Sequence, residues 1–225
     1  MPTHSSIFRI QEEETGSSYQ ETRTAHNQHG AKFRWADFDN PFIGNGVDPQ
    51  NTWNSPKSDL GLFGQFNKLH KNTNGAFNLT LSIGGWSWSK NFSLAVRTTS
   101  SRTSLAQSIV DLFTAWPCFT GVSIDWEYLS NDGVNYGNVG NIADPSDCEN
   151  FALFVELLRG MFNARGWTSY TIAMCFTPAP EKIKFDVKRL IPLLDEWHVM
   201  TYEYPSPQRP KNFDNTLHEG MTDVV

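Results

Sequence analysis

Between residues 31 and 204 the hydrophobic period of the chain switches repeatedly between two and 3.6 residues, and this alternation restricts the fold most. Short runs read as strands: "AKFRWADF", "FNLTLSIGGW", "GVSIDWEYLS", "YTIAMCFTP" and "WHVMTYEY". Helical spacing fills the gaps. "LGLFGQFNKLHKN" sets Leu60, Phe63, Phe66 and Leu69 on one face, and residues 104–116 do the same with Leu105, Ile109, Leu112, Phe113 and Trp116. Ser104 and Gln107 have the spacing of a capping box for that helix, and Pro117 stops it. Asp144 followed by Pro145 opens a third helix, with a stripe of Phe151, Phe154, Val155, Leu158 and Phe162. "FDVKRLIPLLD" supplies a helix or helical turn. Five strands alternating with four helical stretches predict an α/β fold on a parallel sheet.

The third strand carries an unusual content. Side chains alternate between the faces of a strand, so Ser123, Asp125 and Glu127 point one way and Val122, Ile124 and Trp126 the other. The apolar set can bury against a helix layer. The polar set brings two carboxylates together, and like charges held close resist ionising together. A structural protein gains little from that. Two other strands also end in polar or glycine-rich sequence, "SIGGW" and "MTYEY". Functional groups gathered where strands end are the pattern of the carboxyl-terminal face of a (β/α) barrel.

Composition narrows the chemistry. At 225 residues the chain suits one domain with a sizeable core, and a net charge of -6 argues against nucleic acid or an anionic membrane as partner. Aromatic residues make up 13% of the chain, including eight Trp, a side chain that serves both as core and as a platform for sugar rings. Cys118, Cys148 and Cys175 have no CxxC spacing, which predicts free thiols or at most one bridge. The six histidines form no HExxH pattern; His70 and His198 read as ordinary helix or strand residues, and no metal or cofactor is expected. "NLT" at Asn78 and "NFS" at Asn91 match the glycosylation tripeptide, which is common by chance. Residues 1–30 are polar and aperiodic, so an irregular or disordered segment is expected there, with a partial domain over residues 31–225. No basic start followed by an apolar run marks a secretory signal, and no stretch reaches the length of a membrane span.

The three strand ends, in this order, resemble glycoside hydrolase family 18, the chitinases and their relatives. The family's D-G-x-D-x-D-x-E signature reads here Thr120-Gly121-Val122-Ser123-Ile124-Asp125-Trp126-Glu127. Its S-x-G-G appears as Ser82-Ile83-Gly84-Gly85, and its M-x-Y-D as Met200-Thr201-Tyr202-Glu203. The resemblance implies a (β/α)8 TIM-barrel type of fold, of which residues 31–204 would supply the second to sixth strands, truncated at both ends. It also implies hydrolysis of β-1,4-linked N-acetylglucosamine with the substrate's own acetamido oxygen as nucleophile. Glu127 would be the general acid and then base, Asp125 would hold the acetamido N–H, and Tyr202 the acetamido oxygen. Gly84, Gly85, Trp86, Tyr128, Met200 and Glu203 would line the sugar sites, with Trp53 at the cleft edge. Chitin or N-acetylglucosamine oligosaccharides would be the partners, and the family is expected outside the cell. Three departures stand out: Thr120 and Ser123 replace aspartates, and Glu203 replaces a shorter acid. The loss at Ser123 removes an inner carboxylate with which Asp125 would share a proton. A chitin-binding lectin, an inactive homologue and an endoglycosidase acting on N-glycans are the alternative readings.

Overall fold

In the computed structural model, which describes residues 5–8, 35–44, 46–129, 135–136 and 139–201, the core is one parallel sheet with helices on its outer face. The strands are β1 (Ser5–Phe8), β2 (Leu79–Gly84), β3 (Phe119–Asp125), β6 (Thr171–Phe176) and β7 (Glu196–Val199), in the order β1-β2-β3-β6-β7. A short antiparallel pair, β4 (Asn135–Tyr136) and β5 (Val139–Gly140), sits in the loop after β3. The helices are α1 (Trp35–Phe38), α2 (Gly61–Asn72), α3 (Phe92–Arg97), α4 (Thr99–Ala115), α5 (Asp147–Ala164) and α6 (Val187–Leu190).

Register explains which residues share a face. Leu81, Val122 and Ile172 pair in one row, and Ile83, Ile124, Met174 and Trp197 in the next. All but Trp197 are at most 2% exposed, because they meet Ile109 and Phe113 of α4 and Phe154, Leu158 and Phe162 of α5 in one continuous core. At one end of that core, Phe119 at the start of β3 lies against Phe63 of α2 (5.0 Å) and Phe113 (6.1 Å). The opposite face carries Ser82, Ser123, Ala173 and Glu196 in one row, with Gly84 opposite Asp125 and Cys175 opposite His198 beyond it. The period-two reading of β3 holds: Val122, Ile124 and Trp126 are buried on the helix side.

Four expectations need correction. Residues 31–38 were the natural candidate for a strand, but Trp35–Phe38 is one helical turn. A turn lets Phe38 enter an aromatic cluster with Phe63 (5.2 Å) and Trp116 (5.1 Å), and the Asn40-Pro41 step then disfavours any continued helix. The edge of β2 is paired instead with Ser5–Phe8, four residues of a segment expected to be irregular. Their pairing satisfies backbone groups that an open parallel edge would leave exposed; residues 1–4 and 9–34 lie outside the described residues. The helix expected at 104–116 begins five residues earlier, where Thr98 and Ser101 form the capping box; Ser104 is already internal and donates to Ser100 O. The Asp144-Pro145 pair lies one turn ahead of α5: Asp144 accepts from Ser146 N at 2.9 Å, and its own N–H donates to Asp147 Oδ2 at 2.7 Å. The first helical residue is therefore Asp147. "FDVKRLIPLLD" folds as the single turn α6, capped by Asp186 and tied to α5 by Arg189, which reaches Glu156 (2.8 Å) and Glu149 (2.5 Å). All three cysteines are free thiols.

Candidate active site

The site forms where β2 and β3 end. Gly85 N donates to Asp125 O at 2.6 Å, so the two strand ends are held in contact past the last ladder pair. That closeness explains Gly84. A Cβ at Gly84, whose φ is +105°, would lie 2.3 Å from Asp125 O and 2.5 Å from a ring carbon of Phe92. Gly85 also has positive φ (+98°), but a Cβ there would be 3.6 Å from Asp125 Oδ2, an ordinary contact. Gly84 is thus required by β3 and Gly85 by its own backbone conformation.

Ser89, wholly buried one helical turn beyond Gly85, fixes the approach of the second carboxylate. Its Oγ accepts from Glu127 N at 2.8 Å and donates to Gly85 O at 2.9 Å, with Asp125 O at 3.3 Å. The backbone on both sides of Trp126 is therefore tied to the "GGWSWS" turn. The peptide between Glu127 and Tyr128 is cis. Trp126 points to the helix side, stacks on Phe92 at 5.0 Å, and donates from Nε1 to Asn141 Oδ1 at 2.8 Å. Asn141 in turn donates to Tyr128 O at 2.8 Å, and Gly140 N donates to Ser87 O at 3.2 Å. The loop after β3 is thereby fastened to the loop after β2.

The aromatic positions divide. Trp86 is 48% exposed and meets Tyr128 edge-on with ring centroids 6.2 Å apart, so these two line one side of the strand ends. Lys182, in the turn after β6, sits 4.1 Å above the Tyr128 ring. Trp53 is 63% exposed on the long loop before α2. Met200 follows β7 directly, half-buried, its N–H donating to Phe176 O at 2.8 Å. Tyr202 and Glu203 lie outside the described residues.

Burial raises the pKa of Asp125, opposed by the Cys175 thiol beside it and by the nearby His198 imidazole. The chief cause is loss of water. Asp125 Oδ1 is buried with no hydrogen-bond partner. Both Asp125 and Glu127 press on Cys175, whose thiol is pushed up to about 12, mainly by burial. Among the described residues no group of three or more His, Cys, Asp or Glu side chains is placed to hold a metal ion, and no helix is long and apolar enough to cross a membrane.

Sequence reading missed Ser89, Asn141, Lys182, Cys175 and His198. Ser89 follows the paired glycines in "GGWSWS" and was visible as a neighbour of the motif. Cys175 and His198 share the inward parity of Ser123 and Asp125, but only the register of β3, β6 and β7 shows that they meet. Asn141 and Lys182 carry no signal of their own.

Residues 18–220 match the family described as glycosyl hydrolases family 18. The chain is 30% identical over 174 residues to Chitinase A1 of Niallia circulans, covering 76% of this chain and 23% of that protein. It is 32% identical over 151 residues to Chitinase 2 of Yersinia entomophaga, covering 64% and 23%. The fold superposes on a chitinase from Bacillus thuringiensis with a TM-score of 0.66 at 24% identity, over 84% of this chain and 32% of that one. The chain spans less than a quarter of the length of these two curated relatives. Its parallel sheet, with helices outside and polar groups inside, is an arc of the family's (β/α)8 barrel. With the match over residues 18–220 and the carboxylates at the end of β3, the chain belongs to glycosyl hydrolases family 18.

Proposed function

We propose that this chain hydrolyses the β-1,4 linkage of N-acetylglucosamine polymers, with chitin as substrate, by the substrate-assisted retaining route. The observation that carries this reading is the pairing of Asp125 with Glu127 at one strand end, with the Glu127 backbone held through Ser89. Glu127 protonates the glycosidic oxygen as the bond to the anomeric carbon breaks. The acetamido oxygen of the same sugar closes onto that carbon, giving an oxazolinium ion. Water then opens the ring and returns a proton to Glu127. Asp125 accepts the acetamido N–H and faces the positive charge as it develops. Its burial makes ionisation costly, so the cation of the intermediate stabilises it more than water does, and that difference favours the transition state. Tyr202 holds the acetamido oxygen. Trp86 and Tyr128 line one side for contact with the sugar rings, Gly84 and Gly85 keep the floor clear, and Met200, Glu203 and Trp53 complete the lining.

The test is release of a fluorophore from chitobiose and chitotriose conjugates, run beside a chitin pull-down and a comparison with fully deacetylated chitosan. Release from the acetylated substrates alone is the expected result. Equal turnover of chitosan would contradict the acetamido nucleophile. Retention on chitin without release would favour the lectin reading, and cleavage confined to N-glycan cores the endoglycosidase.

A further inference from the structure

Trp86, Tyr128 and Lys182 follow β2, β3 and β6, three strands that neighbour one another in the sheet. An indole, a phenol and an ammonium therefore stand in a row across the strand ends. Trp86 meets Tyr128 edge-on, with ring centroids 6.2 Å apart and 69° between the planes. Lys182 Nζ lies 4.1 Å over the Tyr128 ring. Tyr128 and Lys182 are half-buried, and Asn141 holds the Tyr128 carbonyl at 2.8 Å. The proposed hydrolysis uses the two rings and gives the cation no part.

The geometry decides what each group can offer. A cation this close to a ring centroid is well inside the ~6 Å over which the ring quadrupole attracts it, and it covers that face of the ring. Tyr128 therefore cannot stack a sugar on the face that Lys182 occupies, and the exposed indole of Trp86 is the adjoining platform. From the two centroid distances, Lys182 Nζ is no farther than 6.2 Å plus 4.1 Å from the centre of the Trp86 ring. That is about one screening length, ~10 Å at 0.1 M salt, so a sugar on Trp86 feels the charge. The sign of the charge matters because of its neighbours. Asp125 and Glu127 attract cations, and a glucosamine unit that has lost its acetyl group is a cation. A lysine ammonium is a compact point charge, and here it stands against that attraction at the same strand ends. An N-acetylated unit is neutral and meets no repulsion.

We propose that Lys182 is a specificity-determining residue: its charge, seated on Tyr128, disfavours free glucosamine on Trp86 and reserves that position for N-acetylglucosamine. The inference rests on the chitin reading for the class of sugar, and it adds a second check on acetylation to the one made by Asp125. Over such a distance, with an effective dielectric between those of protein surface and water, repulsion of two unit charges is worth roughly three- to tenfold in affinity.

Titration calorimetry tests this on the full chain carrying Glu127→Gln, which stops turnover. It compares the tetramer of N-acetylglucosamine with the tetramer of glucosamine, at low salt and at a pH that keeps the amines charged. The preference due to Asp125 is common to all variants and cancels when their affinity ratios are compared. Lys182→Met is expected to shift the ratio toward the glucosamine tetramer by roughly three- to tenfold, and Lys182→Arg to keep the parent ratio. The shift should vanish at 1 M salt, where the screening length is ~3 Å. Lys182→Gln gives a second neutral side chain and should reproduce the result if methionine disturbs the turn. Lys71→Met removes the same charge from an exposed residue near the end of α2, which leads into the start of β2, and should leave the ratio unchanged. A ratio that Lys182→Met does not move overturns the proposal. So does an equal loss of both tetramers, the mark of a residue that only props Tyr128, and so does an equal shift in Lys71→Met. Failure of the parent to bind either tetramer removes the sugar site and the inference with it. If the wild-type chain releases no fluorophore, the proposed hydrolysis fails, while the titration still decides the role of Lys182.

Discussion

One face of β3 and the loop that continues it is packed to completion, and the other is left partly unsatisfied. Val122, Ile124 and Trp126 are at most 2% exposed, and the Trp126 indole both stacks on Phe92 and finds an acceptor in Asn141. Across the same backbone, Asp125 has a buried oxygen without a partner and is pushed toward its neutral form by loss of water. The first face contributes stability. The second carries a cost that a purely structural sheet would have lost to Asn, Thr or Val. That contrast within a few residues picks out this strand end, and each prediction below attacks one side of it.

The largest effect is expected on the unsatisfied side. Glu127→Gln preserves shape and removes the transferable proton, so hydrolysis of the chitotriose conjugate should fall by about 10²–10⁴-fold. Glu127 is only half-buried and Gln keeps its shape and hydrogen-bonding capacity, so the melting temperature should hold. An unchanged rate would remove Glu127 from the mechanism.

Trp126→Ala attacks the packed side. Truncating a buried aromatic typically costs about 3–5 kcal/mol, and urea unfolding is expected to read a loss of that size. The same change removes the indole bond to Asn141, which also holds Tyr128 O, so oligosaccharide affinity should weaken along with stability. A stable variant with normal affinity would show that the loop after β3 is fixed by other contacts.

These two faces were also unequally legible in the sequence. The packed face follows from alternation alone: Val122, Ile124, and the stripe Phe151, Phe154, Val155, Leu158 and Phe162 are all buried as their spacing predicts. Asp125, Glu127, Gly84 and Gly85 were legible because a short motif places them on consecutive strand ends. Cys175 and His198 were not, since their meaning depends on pairing between β6 and β7, and pairing is long-range information. Residues 31–38 failed for a related reason: local apolar content fits strand or turn equally, and the contact of Phe38 with Phe63 and Trp116 decides. The capping error at Ser104 was local. Thr98-Thr99-Ser100-Ser101 offers the same chemistry one turn and a half earlier, and α4 takes the first cap available.

Gly84→Ala tests the seam between the faces. The added methyl would meet backbone at Asp125 O and the Phe92 ring, and neither can yield without moving β3 or α3. Strain of this kind costs about 1–3 kcal/mol. Gly85→Ala, with ordinary clearance, should cost less, though its φ of +98° still penalises a side chain. Equal losses in the two variants, by thermal melts, would mean that backbone conformation and not the approach of β3 selects both glycines.

The smallest effect is the most diagnostic, because its sign is opposite to that of most core substitutions. Asp125→Asn keeps the shape of the side chain and removes a charge that burial disfavours. Its folded pKa lies above the unfolded value, so the stability that Asp125 contributes is fully present below the unfolded pKa and is lost as pH rises through the folded one. The Asn variant does not titrate there. Its melting temperature relative to wild type should therefore climb as pH passes upward through that window and level off toward neutrality. The gain at neutral pH should be about 0.5–2 kcal/mol, the usual scale for relieving a functional compromise. Asp147, also raised by burial, is present in both proteins and cancels in the difference. Hydrolysis should drop in the same variant, since Asn cannot answer the charge of the intermediate. A variant that is less stable than wild type at neutral pH, with no pH dependence in the difference, would mean that Asp125 is held by the fold and not at its expense.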